Sequence, residues 1–348
     1  MSERTAVPRA PLPAPSGLVD GFGRVARDLR VSLTDRCHLR CTYCMPAQGL
    51  PWLPTEEVLT DAEVVRLVTV AVQRLGVRSV RFTGGEPLLR RGLEDVVAAT
   101  AALRCPDGSV PGTSMTTNGL GLEHRATGLA AAGLRRVNVS LDTLDRGRYA
   151  RLARRDRLPD VLAGLAAARE AGLHPVKVNA VLLRGVNDDE AVPLLRWALD
   201  EGYELRFIEQ MPLGPTGAWD PGTMVTADEV LADLRTAVTL TPAPGRGTAP
   251  AQRWVVDGDA SRTVGVIASV TRPFCGSCDR VRLTADGQVR ACLFSGEETD
   301  LRALLRDGAD DDALAAAWAR AVLGKPAGHG IADAGFRQPA RPMNAIGG

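Results

Sequence analysis

Two periods alternate along the hydrophobic pattern of the chain. Runs in which apolar and polar residues take turns, the signature of a strand with one buried face, occur at residues 29–33, 79–83, 113–117, 136–141, 176–182 and 204–209. Between them lie stretches with apolar residues three and four apart, the spacing of an amphipathic helix. The helix signals agree. Thr60 followed by Glu63 forms a capping-box pattern ahead of a run ending at Leu75, Gly76 supplies a C′ residue, and Thr226 with Glu229 repeats the start. Strands separated by helices predict six β/α units and a parallel sheet with right-handed crossovers.

In each strand the polar positions share a side. Arg30 and Ser32 oppose Val31 and Leu33; Arg81 and Thr83 oppose Val80 and Phe82; Asn138, Ser140 and Asp142 oppose Val137, Val139 and Leu141. Lys177 and Asn179 oppose Val176, Val178 and Ala180, and Arg206 opposes Leu205 and Phe207. A doubly wound sheet covered by helices on both faces reads apolar on both, and a complete eight-stranded barrel fills its interior with branched apolar side chains. The pattern therefore predicts an open, partial (βα)6 barrel of TIM type over residues 23–240, with helices outside and a lumen that holds a polar ligand.

The pattern breaks after about residue 240. Residues 241–250, rich in Pro, Gly and Thr, read as a linker; strand-like runs follow at 253–256 and 263–267, then an Ala-rich helix at 312–323 and an irregular tail. A smaller C-terminal module over 241–348, packed against the barrel, is the expectation. At the other end, Pro8, Pro11, Pro13 and Pro15 among small residues make 1–22 a disordered or loosely docked extension.

Composition narrows the function classes. With 42 Lys+Arg against 41 Asp+Glu the chain lacks the global basic field of a duplex-binding protein, and five Trp and six Phe form no regular series on which a single strand could stack; no nucleic-acid partner is expected. No apolar run reaches about 18 residues and the start lacks a signal-peptide core, so the expectation is a cytoplasmic protein with no membrane partner. Lys177 and Lys325 are the only lysines. Lys177 shares the polar strand face with Arg30, Arg81 and Arg206, and burying several cations together is costly unless an anion joins them. A triphosphate is such an anion, matched by the planar forks of Arg. Internal salt bridges to Glu86, Asp142 and Glu209 are the alternative.

The cysteines carry the candidate chemistry. Cys37, Cys41 and Cys44 form C-x3-C-x2-C immediately after the first strand. Three thiolates so spaced can hold three irons of a four-iron cluster and leave the fourth open to a substrate or cofactor. A zinc knuckle using His38 is the alternative, disfavoured because adjacent Cys37 and His38 cannot easily point at one metal. Cys275, Cys278 and Cys292 form a second set, which alone would read as a zinc ribbon completed by His329 or a carboxylate. Cys105 stands apart as a bystander thiol, and His124 and His174 read as surface or packing residues.

The first loop resembles that of the radical S-adenosylmethionine superfamily, and Thr83-Gly84-Gly85-Glu86-Pro87 after the second strand is similar to the superfamily's GGEP motif. Two adjacent glycines allow close backbone approach to a bound amino acid. With the second cysteine set, Met115-Thr116-Thr117-Asn118-Gly119, Val139-Ser140-Leu141-Asp142-Thr143, Arg206-Phe207-Ile208-Glu209, Cys278-Asp279-Arg280-Val281-Arg282 and the terminal Gly347-Gly348, the chain resembles the molybdenum-cofactor GTP 3′,8-cyclases, the MoaA family, over about residues 24–348. His38 departs from the Asn common there.

That resemblance implies two [4Fe-4S] clusters, one held by Cys37, Cys41 and Cys44 and one by Cys275, Cys278 and Cys292. It implies S-adenosylmethionine at Tyr43, Gly85, Ser140 and Met211, and GTP at Arg30, Arg81, Thr116, Lys177, Arg206, Arg280, Val281 and Arg282. Arg280, Arg282, Gly347 and Gly348 would take part in catalysis, with the tail reaching back into the site. The implied reaction is a lyase-type cyclisation: a 5′-deoxyadenosyl radical takes hydrogen from ribose C3′ of GTP, and C3′ then attacks guanine C8. An external, flavodoxin-like electron donor and a downstream pyranopterin synthase are implied partners, with a monomeric or homodimeric enzyme. Another two-cluster enzyme of the superfamily, acting on a peptide or RNA, and a zinc-binding interaction protein are the competing readings.

Overall fold

A computed structural model describes residues 17–215 and 219–347. The barrel part runs β1 (Asp28–Ser32), α1 (Asp61–Gln73), β2 (Ser79–Thr83), α2 (Leu93–Ala101), β3 (Gly112–Thr117), α3 (Leu122–Ala131) and β4 (Arg136–Ser140). It continues through α4 (Arg146–Ala153), α5 (Leu158–Glu170), β5 (Val176–Ala180), α6 (Ala191–Asp200), β6 (Glu204–Ile208) and α7 (Ala227–Arg235). The C-terminal part adds β7 (Leu240–Pro242), β8 (Gln252–Val256), β9 (Asp259–Ile267), β10 (Arg280–Leu283), β11 (Gln288–Arg290) and β12 (Thr299–Asp300). Three helices complete it: α8 (Leu301–Arg306), α9 (Asp311–Leu323) and α10 (Met343–Ile346).

Strands β1 to β6 pair in chain order and in parallel, as helical crossovers allow. Their apolar faces turn outward against the helices. Leu29, Val31, Val80, Phe82, Met115, Val137, Val139, Val178 and Leu205 are fully buried there, with Leu67, Val68 and Ala71 of α1 packed in the same core. Each such side chain contributes about 1.5–3 kcal/mol by leaving water. The caps form as the sequence predicts: Thr60 and Glu63 reciprocate at the start of α1, Thr226 and Glu229 at the start of α7, and Gly76 takes φ +72°.

Among the described residues β1 and β6 do not pair with each other, so the barrel stays open. Each instead gains a parallel neighbour from the C-terminal part, β10 beside β1 and β9 beside β6, and one sheet runs β12-β11-β10-β1-β2-β3-β4-β5-β6-β9-β8-β7. The C-terminal residues thus do more than pack against the barrel: they satisfy the backbone groups that two open edges would leave bare. The segment read as a linker is also different in the structure. Thr241 and Pro242 belong to β7, and the residues after them turn into β8 as a hairpin.

The reading of residues 1–22 as an extension falls on residues outside those described as far as residue 16. Residues 17–22 are docked: Leu18 is fully buried, Val19 bridges Val25, and Asp20 accepts from the Phe22 and Arg24 backbone N–H groups and the Arg24 guanidinium. A single deeply apolar position is enough to hold this turn against the core.

Candidate active site

The first cysteine set follows β1, and Cys275 and Cys278 precede β10, which lies parallel to β1 with Arg280 beside Asp28 and Arg282 beside Arg30. The two sets therefore stand at opposite ends of one strand pair. A cavity of about 280 Å³ lies on the polar face and touches both, through Cys44 and through Cys275, Cys278 and Cys292. Tyr43, Ser140 and Met211 line it, as do Arg30, Arg81, Thr116, Arg206, Arg280 and Arg282. Gly85, Lys177, Cys37 and Cys41 do not reach its wall, and neither does Val281, whose side chain is buried in the core on the opposite side of β10.

Backbone contacts hold the first loop against the turn after β2. Gly85 N–H donates to Thr34 O at 2.7 Å and Glu86 N–H to Arg36 O at 2.8 Å. A Cβ on Gly84 would lie 2.4 Å from Thr34 O and one on Gly85 2.3 Å from Arg36 O, so the glycine pair serves this backbone packing in the first instance, where the sequence suggested approach to a ligand. Glu86 accepts from the Leu88 and Asn118 N–H groups and the Thr117 hydroxyl, tying the β2 turn to the end of β3. Burial pushes the Cys37 thiol up to about 11 and Cys44 to about 12, and raises Cys41, which Cys44 and Cys37 also oppose. Three half-buried thiols near enough to repel one another as thiolates call for a cationic centre, and an iron–sulfur cluster fits that donor set. His38 shares Asn118 with Cys37: the amide nitrogen lies 3.4 Å from His38 Nδ1 and 3.7 Å from Cys37 Sγ.

At the second set two cations grip the loop. Lys325 Nζ, buried, donates to Cys278 O at 2.9 Å and Arg280 O at 2.8 Å, while Arg24 donates to Cys275 O, Pro326 O and Ala327 O. Burial raises the Cys275 thiol; at Cys278 burial acts the same way, but Arg280 and Lys325 outweigh it and the thiol is lowered. The histidine of the zinc-ribbon alternative is already engaged. His329 Nε2 lies 2.9 Å from Ser269 O, and Nδ1 accepts from Ile331 N–H at 3.1 Å. Among the described residues no three His, Cys, Asp or Glu side chains converge on the position of a single metal ion. A four-iron cluster, with one thiolate per iron, spreads its ligands wider.

Between the two sets the lumen is cationic. Burial, then Arg282 and Arg81, hold the Arg30 guanidinium well below its ordinary range, and burial with Arg280 brings Arg282 down to about 10. Among the described residues, buried Arg30 Nε and Arg280 Nη2 have no hydrogen-bond partner. The carboxylates named from sequence as partners for the lumen cations are used elsewhere: Asp142 accepts from Tyr43 OH and Val181 N–H, Glu86 as above, and Glu209 from Ala227, Val270 and Thr271. Glu204 instead bridges Lys177 at 3.1 Å and Arg206 at 2.8 Å, and Asp28 lies 3.9 Å from Arg81. Residue 204 precedes Arg206 by two and so shares its face; the alternation contained that signal.

The tail returns to the site. Asn344 donates to Asp35 O at 3.0 Å, Met343 N–H to Leu213 O at 3.0 Å, and Gly347 O accepts from Arg282. Gly348 lies outside the described residues. Phe274 and Pro250 also line the cavity and were not foreseen; Phe274 lies between Arg246 and Arg280, whose guanidinium carbons are 5.1 and 4.9 Å from its ring centre. His329 lines it too, with Phe294 at 5.2 Å. Cys105 is buried against Val77 O and outside the cavity wall.

Residues 31–198 match the Radical SAM superfamily and residues 203–331 match Molybdenum Cofactor Synthesis C. Two crystal structures of Streptococcus suis SuiB share the fold at 15% identity. One gives a TM-score of 0.57 over 89% of this chain and 68% of that one; the other, bound to S-adenosylmethionine, gives 0.53 over 81% and 66%. A GTP 3′,8-cyclase of Corynebacterium glutamicum is 62% identical over 95% of this chain and 89% of its own. A GTP 3′,8-cyclase of Streptomyces coelicolor is 62% identical over 95% and 96%, and one of a Mycobacterium species 63% over 98% and 96%. Carrying both matched regions and this identity across nearly its whole length, the chain belongs to the GTP 3′,8-cyclase family within the radical SAM superfamily.

Proposed function

We propose that this protein cyclises GTP to 3′,8-cyclo-7,8-dihydro-GTP, the first step of molybdenum-cofactor biosynthesis, using S-adenosylmethionine and two [4Fe-4S] clusters. The observation that carries this reading is one cavity that touches both thiol sets and holds buried Arg30 Nε and Arg280 Nη2, neither with a hydrogen-bond partner among the described residues. Buried guanidinium nitrogens left without acceptors are costly, and a polyphosphate offsets that cost.

Cys37, Cys41 and Cys44 would hold the cluster that, when bound, supplies the electron for cleaving S-adenosylmethionine and so the hydrogen abstraction at ribose C3′. Tyr43, Ser140 and Met211 would contact S-adenosylmethionine through the wall, and Gly85 would do so through its backbone. Tyr43 is fixed for that work by its 2.7 Å hydrogen bond to Asp142. Cys275, Cys278 and Cys292 would hold the second cluster near the base. Arg30, Arg81, Thr116, Lys177, Arg206, Arg280 and Arg282, with the backbone of Val281, would take the ribose and phosphates. Fixing both ends of GTP is the protein's main contribution, because C3′ must face the abstracting carbon and C8 in turn. Gly347 and Gly348 would close the site over Arg282, which already donates to Gly347 O.

The same reading includes a cytoplasmic enzyme, monomeric or homodimeric, that passes its product to a pyranopterin synthase and takes electrons from an acidic, flavodoxin-like carrier. No helix among the described residues is long and apolar enough to cross a membrane. Exposed Arg36 within the first cysteine loop and exposed Arg157, whose charge acts on His38, support an acidic carrier, since opposite charge steers encounter. The test is anaerobic turnover with reductant and S-adenosylmethionine. 5′-Deoxyadenosine should form in step with GTP consumption and fall to background with ATP; formation indifferent to the nucleotide would overturn the reading.

A further inference from the structure

Among the lumen cations stands an acid to which neither the motifs nor the reaction assigns a role. Glu204 and Lys177 are register partners across β5 and β6, so strand alignment itself places them side by side. Glu204 Oε1 accepts from Arg206 Nε at 2.9 Å and Nη2 at 2.8 Å, and Lys177 Nζ lies 3.1–3.2 Å from its two oxygens. Arg206 lines the cavity and Lys177 does not; Glu204 is what connects them. The charged groups facing this pair are Arg206 on β6 and Arg136 on β4; Arg81 on β2 acts on both arginines, and Asp28 on β1 offsets part of the charge of Arg81 and Arg136.

Four cations in one place repel, and only one of them can relieve the repulsion by losing a proton near neutrality. An arginine cannot do so, whereas a lysine can. We propose that Glu204 is a positioning residue for the polyphosphate end of the cavity, anchoring the Arg206 guanidinium at the wall and keeping Lys177 charged before the ligand arrives. The identity of the ligand as GTP rests on the function proposed above; the role of Glu204 requires only a polyphosphate. Burial and Arg206 already bring Lys177 down to about 8 with Glu204 beside it. Without Glu204 the value falls further, because an opposite charge at this distance is worth roughly one to three pH units.

The experiment is calorimetric titration of the anaerobically reconstituted protein with GTP and, separately, inorganic tripolyphosphate, from pH 6.5 to 9, in buffers of differing ionisation enthalpy. In the wild type, affinity should fall as pH rises through about 8, since the Lys177 charge behind the wall that attracts the phosphates is lost there. Glu204→Gln should bind at least as tightly as wild type at pH 6.5, begin its fall about one pH unit or more lower, and take up more protons on binding at pH 7.5. Glu204→Asp should restore part of the shift, and Lys177→Met should leave only the pH dependence of the ligand's own terminal phosphate, the same with or without Glu204. A shift seen with tripolyphosphate but no GTP binding would keep the role of Glu204 and remove the cyclase reading. An unshifted profile, a loss of affinity equal at every pH, or no tripolyphosphate binding would overturn the proposal.

Discussion

Arg30 lies beside Arg81 and Arg282 with its buried Nε unpaired among the described residues, an arrangement that costs the ligand-free protein stability and suits an anion. Arg30→Met should therefore leave the ligand-free melting temperature equal or raise it by a few degrees, while weakening GTP about 10- to 100-fold, as loss of a charge-assisted contact of about 1.5–3 kcal/mol implies. Calorimetry and thermal denaturation check the two halves separately. Asp142 gives a second residue-scale outcome. Burial pushes its carboxyl up to about 6, so the folded state favours the protonated form, and its contribution is full below the ordinary carboxylate range and lost as pH rises through about 6. Asp142→Asn keeps an acceptor for Val181 N–H and should flatten that part of the stability profile, a difference from wild type of about 3 kcal/mol between pH 3.5 and 7 in chemical denaturation. The cations and cysteines were legible because their order in the sequence is their order along strands. Of their partners, Glu204 could be placed on the face of Arg206, but not beside Lys177, because cross-strand register is not contained in a single strand's alternation.

Single elements explain how the site is held. The turn after β2 needs Gly84 and Gly85 for backbone contact with the first cysteine loop and Glu86 to close on β3. Glu86→Ala would strand two buried N–H groups and a hydroxyl, so a loss of about 3 kcal/mol or more is expected in urea denaturation. The loop before β10 is held by Lys325 and Arg24, both acting on backbone carbonyls. Lys325→Met should lower reconstituted iron from about eight to about four per chain, with the first cluster's spectroscopic signal kept. The six barrel strands were readable to within one or two residues. Where they end early, as at Leu141, the residue still donates one bond, here to Asn179 O at 2.9 Å, before the chain leaves for the site. The 241–250 segment misled because Pro and Gly mark a hairpin turn as well as a linker, and its strand is only three residues long.

At the scale of the whole molecule, C-terminal strands flank both edges of the barrel and the tail crosses back beneath the first loop. Pairings across hundreds of residues leave no local period, so β10 beside β1 could not be read from the chain, although the matching cations on both strands were visible. Gly347 sits at φ +73°, and a Cβ there would lie 2.9 Å from Thr83 Cγ2. Gly347→Ala should displace the tail and lower kcat about tenfold or more while GTP affinity stays within a few-fold, measured by turnover and titration. The central claim is that this cavity presents ribose C3′ of GTP to a radical derived from S-adenosylmethionine. The most direct measurement supplies anaerobic holoenzyme with reductant, S-adenosylmethionine and GTP deuterated at C3′, and reads the mass of the 5′-deoxyadenosine released. One added deuterium is the predicted result; undeuterated 5′-deoxyadenosine from protein with both clusters intact would contradict the account.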